Sequence, residues 1–247
     1  MAIQVGADPL LLCNNIHDGK GGGLLINNAK GCLVGNSISG HKKACCVIQN
    51  GSEFSLAANR IHSGLSVGIA IVGFSSGRIQ KTEIWGHALN GLELSEGASA
   101  EIVGNLIRDN RKAGILIDGP SRGGVTIASN DVSGNSIANI ALRGAGGIGP
   151  DPLVRDNLIY NAAPLLDRSA AGVFISGLGT HGRFVGNDVH GDKSACFLIT
   201  TGGDPLVARN LIHEAGEAGV VVRGAGALGR LECNSVWANG KTGVEVS

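Results

Sequence analysis

The chain has 247 residues and a formal net charge of zero, with 20 basic residues balanced by 20 acidic ones. That balance offers no basic face for nucleic acid, and no apolar run reaches the length of a membrane span. Forty-one glycines with 3% aromatic residues predict many tight turns around a narrow Val, Ile and Leu core, without the glycine period of collagen.

The chain begins with a short strand phrase, residues 2–6 (AIQVG), and then repeats one unit. Residues 105–118 (NLIRDNRKAGILID) show it well: an Asn, an aliphatic residue two later (Ile107), a polar turn, then Gly114 and an alternating strand (Ile115, Ile117). The Asn recurs as Asn14, Asn36, Asn59, Asn105, Asn130, Asn157, Asn187, Asn210 and Asn234, with Thr82 in its place once, and most steps are 22–25 residues. An aliphatic or aromatic residue also stands three before each, from Leu11 to Leu231. A second strand starts ten residues after nearly every Asn, from Leu24 to Val244, and is delayed to Val173 in the seventh unit. Short period-two strands bounded by Gly, Asn and Asp are β signals. The unit is too short for a strand-helix repeat. The pattern therefore predicts an all-β fold, a single right-handed parallel β-helix of about ten coils, with strand copies stacked about 4.8 Å apart. Asn at the bend is expected to adopt left-handed backbone and to stack its amide on the next.

Regularity lapses in the middle. The turn at residues 118–124 is lengthened, that at 143–152 is longer, and a six-residue insertion lies within 160–171, including Pro164, Leu165, Leu166, Asp167 and Arg168. Insertions in repeat proteins become loops, and loops carry function. The last residues, 242–246 (TGVEV), repeat the opening phrase in the same phase. Residues 1–247 thus read as one β-helix domain with uncapped ends, part of a longer solenoid or assembly.

The phrase at residues 15–26 (NIHDGKGGGLLI), with Asp-Pro-Leu at 8–10, 151–153 and 204–206, resembles the β-helix repeats of F-box proteins. It is similar more broadly to the pectate-lyase-like and alginate-epimerase-like β-helix family. The resemblance covers essentially the whole chain. In the F-box relatives it implies a protein-recognition role, but the chain shows no F-box helical segment, so ubiquitin-ligase membership does not carry over.

Three sets of residues bear on function. The first is the position three after the Asn, which holds His17, His62, Trp85, Tyr160, His190, His213 and Trp237. This column is either a platform for sugars or a protein partner, or a ladder shielding a corner. Within it, His190 and His213 fall in consecutive coils near Asp188, Asp192 and Glu214, a weak metal or pH-sensitive set. No metal site and no cofactor is assigned. The second set lies around the long turns, where Glu93, Asp118, Arg143 and Arg155, with Glu96 and Arg122, form either a catalytic patch for a uronate or surface ion pairs. No strand column holds carboxylates in successive coils. The third set is an outward stripe of Leu25, Val47, Leu116, Phe174, Leu198 and Val221 that is apolar where solvent would favour polar residues.

The first functional expectation is a non-catalytic scaffold docking a protein partner or larger assembly along the apolar stripe. The alternative is a carbohydrate-active lyase, epimerase or hydrolase with its cleft beside the central loops. Six cysteines without Cys-x-x-Cys spacing and no visible signal peptide place the chain in the cytoplasm.

Overall fold

The computed structural model describes residues 1–145, 149–161 and 171–247. Among them are 31 short strands and no helix. The strands form three parallel sheets that each take one strand from every coil. A pre-Asn sheet of ten strands runs from Leu10–Leu12 to Arg230–Glu232, and a post-Asn sheet of ten from Asn15–His17 to Ser235–Trp237. The third, the long sheet, has eleven strands, from Ala2–Gln4 to Val244–Val246. The predicted parallel β-solenoid of about ten coils is the observed fold.

Pairing is in register throughout most of the stack. Ile84 lies against Ile61 and Ile107 in the post-Asn sheet, and Ile79 against Leu56 and Ile102 in the pre-Asn sheet. Inward positions of all three sheets meet in one continuous core in which most residues are fully buried. Such stacking of like on like keeps every buried backbone group in a ladder while filling a narrow interior.

The corner residue fixes that register. Asn105 donates both its backbone N–H and its Nδ2–H to Oδ1 of Asn130, each at 2.9 Å, and a second Nδ2–H reaches the Ile79 carbonyl at 3.0 Å. The same chain of bonds runs from Asn14 through every corner to Asn234. Thr82 continues it through Oγ1, which accepts from the Asn59 N–H. The expected left-handed asparagine is not what is found. The residue before each corner takes the positive φ, whether Gly35, Gly104 and Gly186 or Cys13, Ala58, Lys81, Ser129, Asp156, Arg209 and Cys233. The Asn is there for its amide, which serves buried backbone groups that nothing else reaches.

A second buried column occupies the turn after the post-Asn strand. His41, His87, Asn110, Asn135, Asp192 and Asn239 stand there, all but Asn239 buried. His87 accepts the Gly64 N–H at Nδ1 (3.2 Å) and donates Nε2–H to the Ile61 carbonyl (3.1 Å), which requires the neutral ring. Each of these side chains fills the space beside the glycine that opens a long-sheet strand. A Cβ on Gly68 would come within 2.7 Å of His87 Nε2, and one on Gly114 within 2.6 Å of Asn135 Nδ2. That is why the repeat resumes with Gly after its turn. The insertion predicted at Pro164, Leu165, Leu166, Asp167 and Arg168 lies outside the described residues.

Three outcomes follow. Asn105→Ala strands the Ile79 carbonyl and the Thr82 N–H in the interior, so urea unfolding should show a loss of about 2–4 kcal/mol. Thr82→Asn restores the amide and should add about 1 kcal/mol. Burial lowers the His87 pKa to about 4, so the unfolded chain binds this proton more readily. Stability is therefore lost as pH falls from 6.5 through 4, by about 3 kcal/mol. Unfolding midpoints across that window should lose this slope in His87→Asn.

Candidate functional site

Each post-Asn strand is three residues long, with its middle residue pointing inward and its two flanks pointing outward, of which Ser133 is buried. Parallel register then aligns the flanks of successive coils. Ser133, Tyr160, His190, His213 and Trp237 form one row, and Asp131, Leu158, Asp188 and Leu211 the row beside it. The predicted aromatic and histidine column is thus one surface line. Its rings stack on each other: Tyr160 on His190 at 5.5 Å, His190 on His213 at 4.7 Å, and His213 on Trp237 at 4.2 Å, all within 11° of parallel. Further along, His62 stacks on Trp85 at 4.3 Å, and the guanidiniums of Arg60 and Arg108 lie 5.3 and 5.4 Å from the same indole. The ring faces are therefore used within the chain. What the row turns outward is ring edges, which are polar. His17 lies at the start of the row, where its Nδ1 pairs with Asp18 at 2.8 Å.

Polar groups converge in the middle of this row. Asp188 Oδ1 lies 3.0 Å from His190 Nδ1 and 3.1 Å from His213 Nε2. The ligand-type atoms of these three residues all fall within 4.8 Å of one another, so the set is sized for a metal ion. His213 Nδ1 is buried without a hydrogen-bond partner, with Glu214 Oε1 at 3.6 Å. On the other side, Tyr160 stands beside Asp131, whose carboxyl is raised above its ordinary range by burial, a shift that Tyr160 partly offsets. Asp131 Oδ1 is itself buried and unpartnered. Two carboxylates, a phenol and two imidazoles thus sit on adjacent coils. This is an arrangement able to accept and return protons.

Beneath the row lies Asp192. Its Oδ1 accepts from Asn161 Nδ2 at 2.6 Å, its Oδ2 has no hydrogen-bond partner, and burial holds its carboxyl well above the usual range. It belongs to the turn column rather than to the surface set, although the sequence groups it with His190 and His213.

The other candidates separate. Asp118 and Arg143 are register partners on the long sheet and form a two-pronged ion pair at 2.9 and 2.6 Å, which holds the Asp118 carboxyl below its ordinary range. Glu93 is on the same sheet, bound by Asn90 Nδ2 at 2.8 Å. Arg155 is on the pre-Asn sheet and pairs with Asp156 at 2.6 Å. The apolar stripe keeps one register from Leu25 to Val221, broken by Glu93 between Ala70 and Leu116, and part of it packs within the chain. Leu116 and Phe174 pack against Ala113, Ala138 and Ala141, and Leu198 against Ala195, Ala218 and Val221. Leu25, Val47, Leu116, Phe174 and Leu198 are half-buried and Val221 is buried.

Residues 7–159 match the family model described as right-handed beta helix region. No curated protein matches the chain in sequence. Among solved structures, the chain is similar to a periplasmic alginate epimerase, AlgG, with TM-score 0.63 at 14% identity over 88% of this chain and 60% of that one. It thus spans 60% of the length of that enzyme. It is also similar to the A-module of the Azotobacter vinelandii mannuronan C-5 epimerase AlgE4, with TM-score 0.50 at 10% identity over 98% of this chain and 89% of that one. At these identities the likeness is one of fold.

Two expectations are corrected here. The non-catalytic docking scaffold gives way: Leu116, Phe174 and Leu198 of its stripe already pack on the chain's own alanines, and the similar structures are named as epimerases of alginate and mannuronan. The cytoplasmic placement gives way too, since one of those enzymes is named as periplasmic. The thiols never carried that inference well. Cys45, Cys46 and Cys196 are buried, and burial raises their pKa values, that of Cys45 to about 11, while Cys13 and Cys233 are exposed.

Asp192 makes a pH prediction. Its folded pKa lies above its unfolded one, so its stabilising contribution is complete below about pH 3.9 and is lost as pH rises through the folded value. Unfolding midpoints measured upward from pH 4 should fall for the native chain relative to Asp192→Asn.

Proposed function

Because the chain belongs to the right-handed β-helix family, we propose that it is a carbohydrate-active enzyme working by proton transfer on an anionic polysaccharide. The observation that carries this is the convergence of Asp131, Tyr160, Asp188, His190 and His213 on one outer face. The activity for which the structural relatives are named, epimerisation of alginate and mannuronan, supports this substrate class. The likeness of the repeat phrase to F-box β-helices adds to the fold reading alone.

Lyases and epimerases acting on a uronate share a first step, removal of the proton beside the sugar carboxylate. That step needs a base, a group to return or deliver a proton, and positive charge or hydrogen-bond donors at the carboxylate. Tyr160, with Asp131 beside it, is the proposed proton-transfer group. Asp131 is a fitting acceptor because burial makes it more basic than an exposed carboxylate. His190 and His213, backed by Asp188, are the proposed partners of the sugar carboxylate. A straight row over successive coils suits an extended polymer, since every coil offers the same edge about 4.8 Å further on.

The alternative locus, Asp118 and Arg143 with Glu93, has its charges already spent on one another. Activity on alginate or polygalacturonate is read as unsaturated product or as solvent deuterium entering the sugar ring. Tyr160→Phe should lower kcat by ~10²–10⁴-fold, while Asp118→Ala with Arg143→Ala should stay near the native rate. Loss in the double variant with retention in Tyr160→Phe would move the site to the long sheet.

A further inference from the structure

We propose that Asp188, His190 and His213 form a binding site for a divalent first-row transition metal, with Zn²⁺ the natural probe. The three donors come from two neighbouring strands, Asp188–His190 and Leu211–His213, that pair in parallel register. Two flanks of one strand and one flank of the next converge without any loop, so the site is held by the ladder itself. In a tetrahedral zinc site, bonds of about 2.0–2.1 Å place ligand atoms roughly 3.4 Å apart. Here Oδ1 of Asp188 is already 3.0 Å from His190 Nδ1 and 3.1 Å from His213 Nε2, and the whole set lies within 4.8 Å. Two imidazoles and one carboxylate with an open outer side are a donor set of catalytic zinc centres.

A second observation comes from the proton on His213. For Nε2 to hydrogen-bond the Asp188 carboxylate it must carry a proton, so a neutral ring leaves Nδ1 bare. That Nδ1 is buried with no hydrogen-bond partner, and the nearest polar group is the Glu214 carboxylate at 3.6 Å. Two acceptors then face each other. A cation on Nε2 reverses this. The ring takes the other neutral tautomer, the proton sits on Nδ1, and Nδ1–H points at Glu214. A carboxylate behind a ligating histidine is the usual outer partner of such a metal. His190 likewise binds through Nδ1, its proton moving from Nδ1 to Nε2. No proton is lost from the neutral rings, since each changes tautomer only.

Stacking prepares the ligands and also reports on them. His213 is held between His190 at 4.7 Å and Trp237 at 4.2 Å. The two imidazoles lie within 10° of parallel and must tilt toward each other to share an ion, so occupancy disturbs the contact with Trp237. The site stands on this geometry. Only its use in catalysis rests on the polysaccharide reading, in which the ion would supply positive charge at the sugar carboxylate and Tyr160 would remain the proton-transfer group.

The test is titration of the metal-stripped chain with Zn²⁺, followed by calorimetry and by Trp237 fluorescence in a Trp85→Phe background. Co²⁺ absorption bands give the coordination number. We expect saturable binding of one ion per chain with a change in Trp237 emission. Asp188→Ala and His190→Ala should each weaken it by at least tenfold, and Glu214→Gln, which keeps all three ligands, by ~10–100-fold. Circular dichroism of each variant establishes that it is folded. No saturable binding by the native chain, or binding unchanged in Asp188→Ala and His190→Ala, would overturn the site. Zinc binding without any action on polyuronates would leave the metal site standing and remove the proposed activity. Full activity with the metal stripped away would overturn the ion's catalytic use.

Discussion

The amide of a corner asparagine such as Asn105 accepts from the backbone N–H of the preceding corner, donates to the amide of the next, and reaches back to a carbonyl of the preceding coil. Repeated from Asn14 to Asn234, that bond sets the register of three sheets at once. A slip of one residue would turn every inward side chain outward, and it would also break a buried hydrogen bond at every corner. Because the amides polarise one another along the stack, the column is worth more than its members taken singly. The core of Val, Ile and Leu supplies burial. The asparagines supply the alignment.

Alignment is what makes chemistry available on such a surface. Residues 25 positions apart, Asp188 and His213, come within 3.1 Å because they occupy neighbouring flanks of one sheet. The coils beside them bring Tyr160 onto His190 and Trp237 onto His213 by the same rule. None of these contacts needs a long loop. The working face proposed here is therefore the regular part of the solenoid rather than its elaborated turns, where Asp118 and Arg143 neutralise each other.

Much of this was legible in the sequence, for a physical reason: a column of identical residues shows at a fixed spacing. The Asn positions, the inward aliphatics and the row from His17 to Trp237 were all readable, and the fold followed. Three things were not. Asn looked like a residue chosen for left-handed backbone, but the residue before it bends, and that position varies from Gly104 to Arg209 with no common chemistry. The buried turn column was hidden because His41, Asn110 and Asp192 share a place and not a type. The constant glycine beside it, as at Gly68 and Gly114, was the available signal. The apolar stripe read as bare because alternation predicts which way a side chain points, not which neighbours it packs on. Ala113 and Ala138 take up Leu116 and Phe174, and Ala195 takes up Leu198.

The most direct test of the working face is a crystal structure of the Tyr160→Phe chain with a short uronate oligosaccharide. Sugar density running along the post-Asn sheet, with a carboxylate beside His190 and His213 and a ring carbon facing position 160, is the predicted result. Density seated on the long sheet beside Asp118 and Arg143, with the post-Asn face empty, would contradict it.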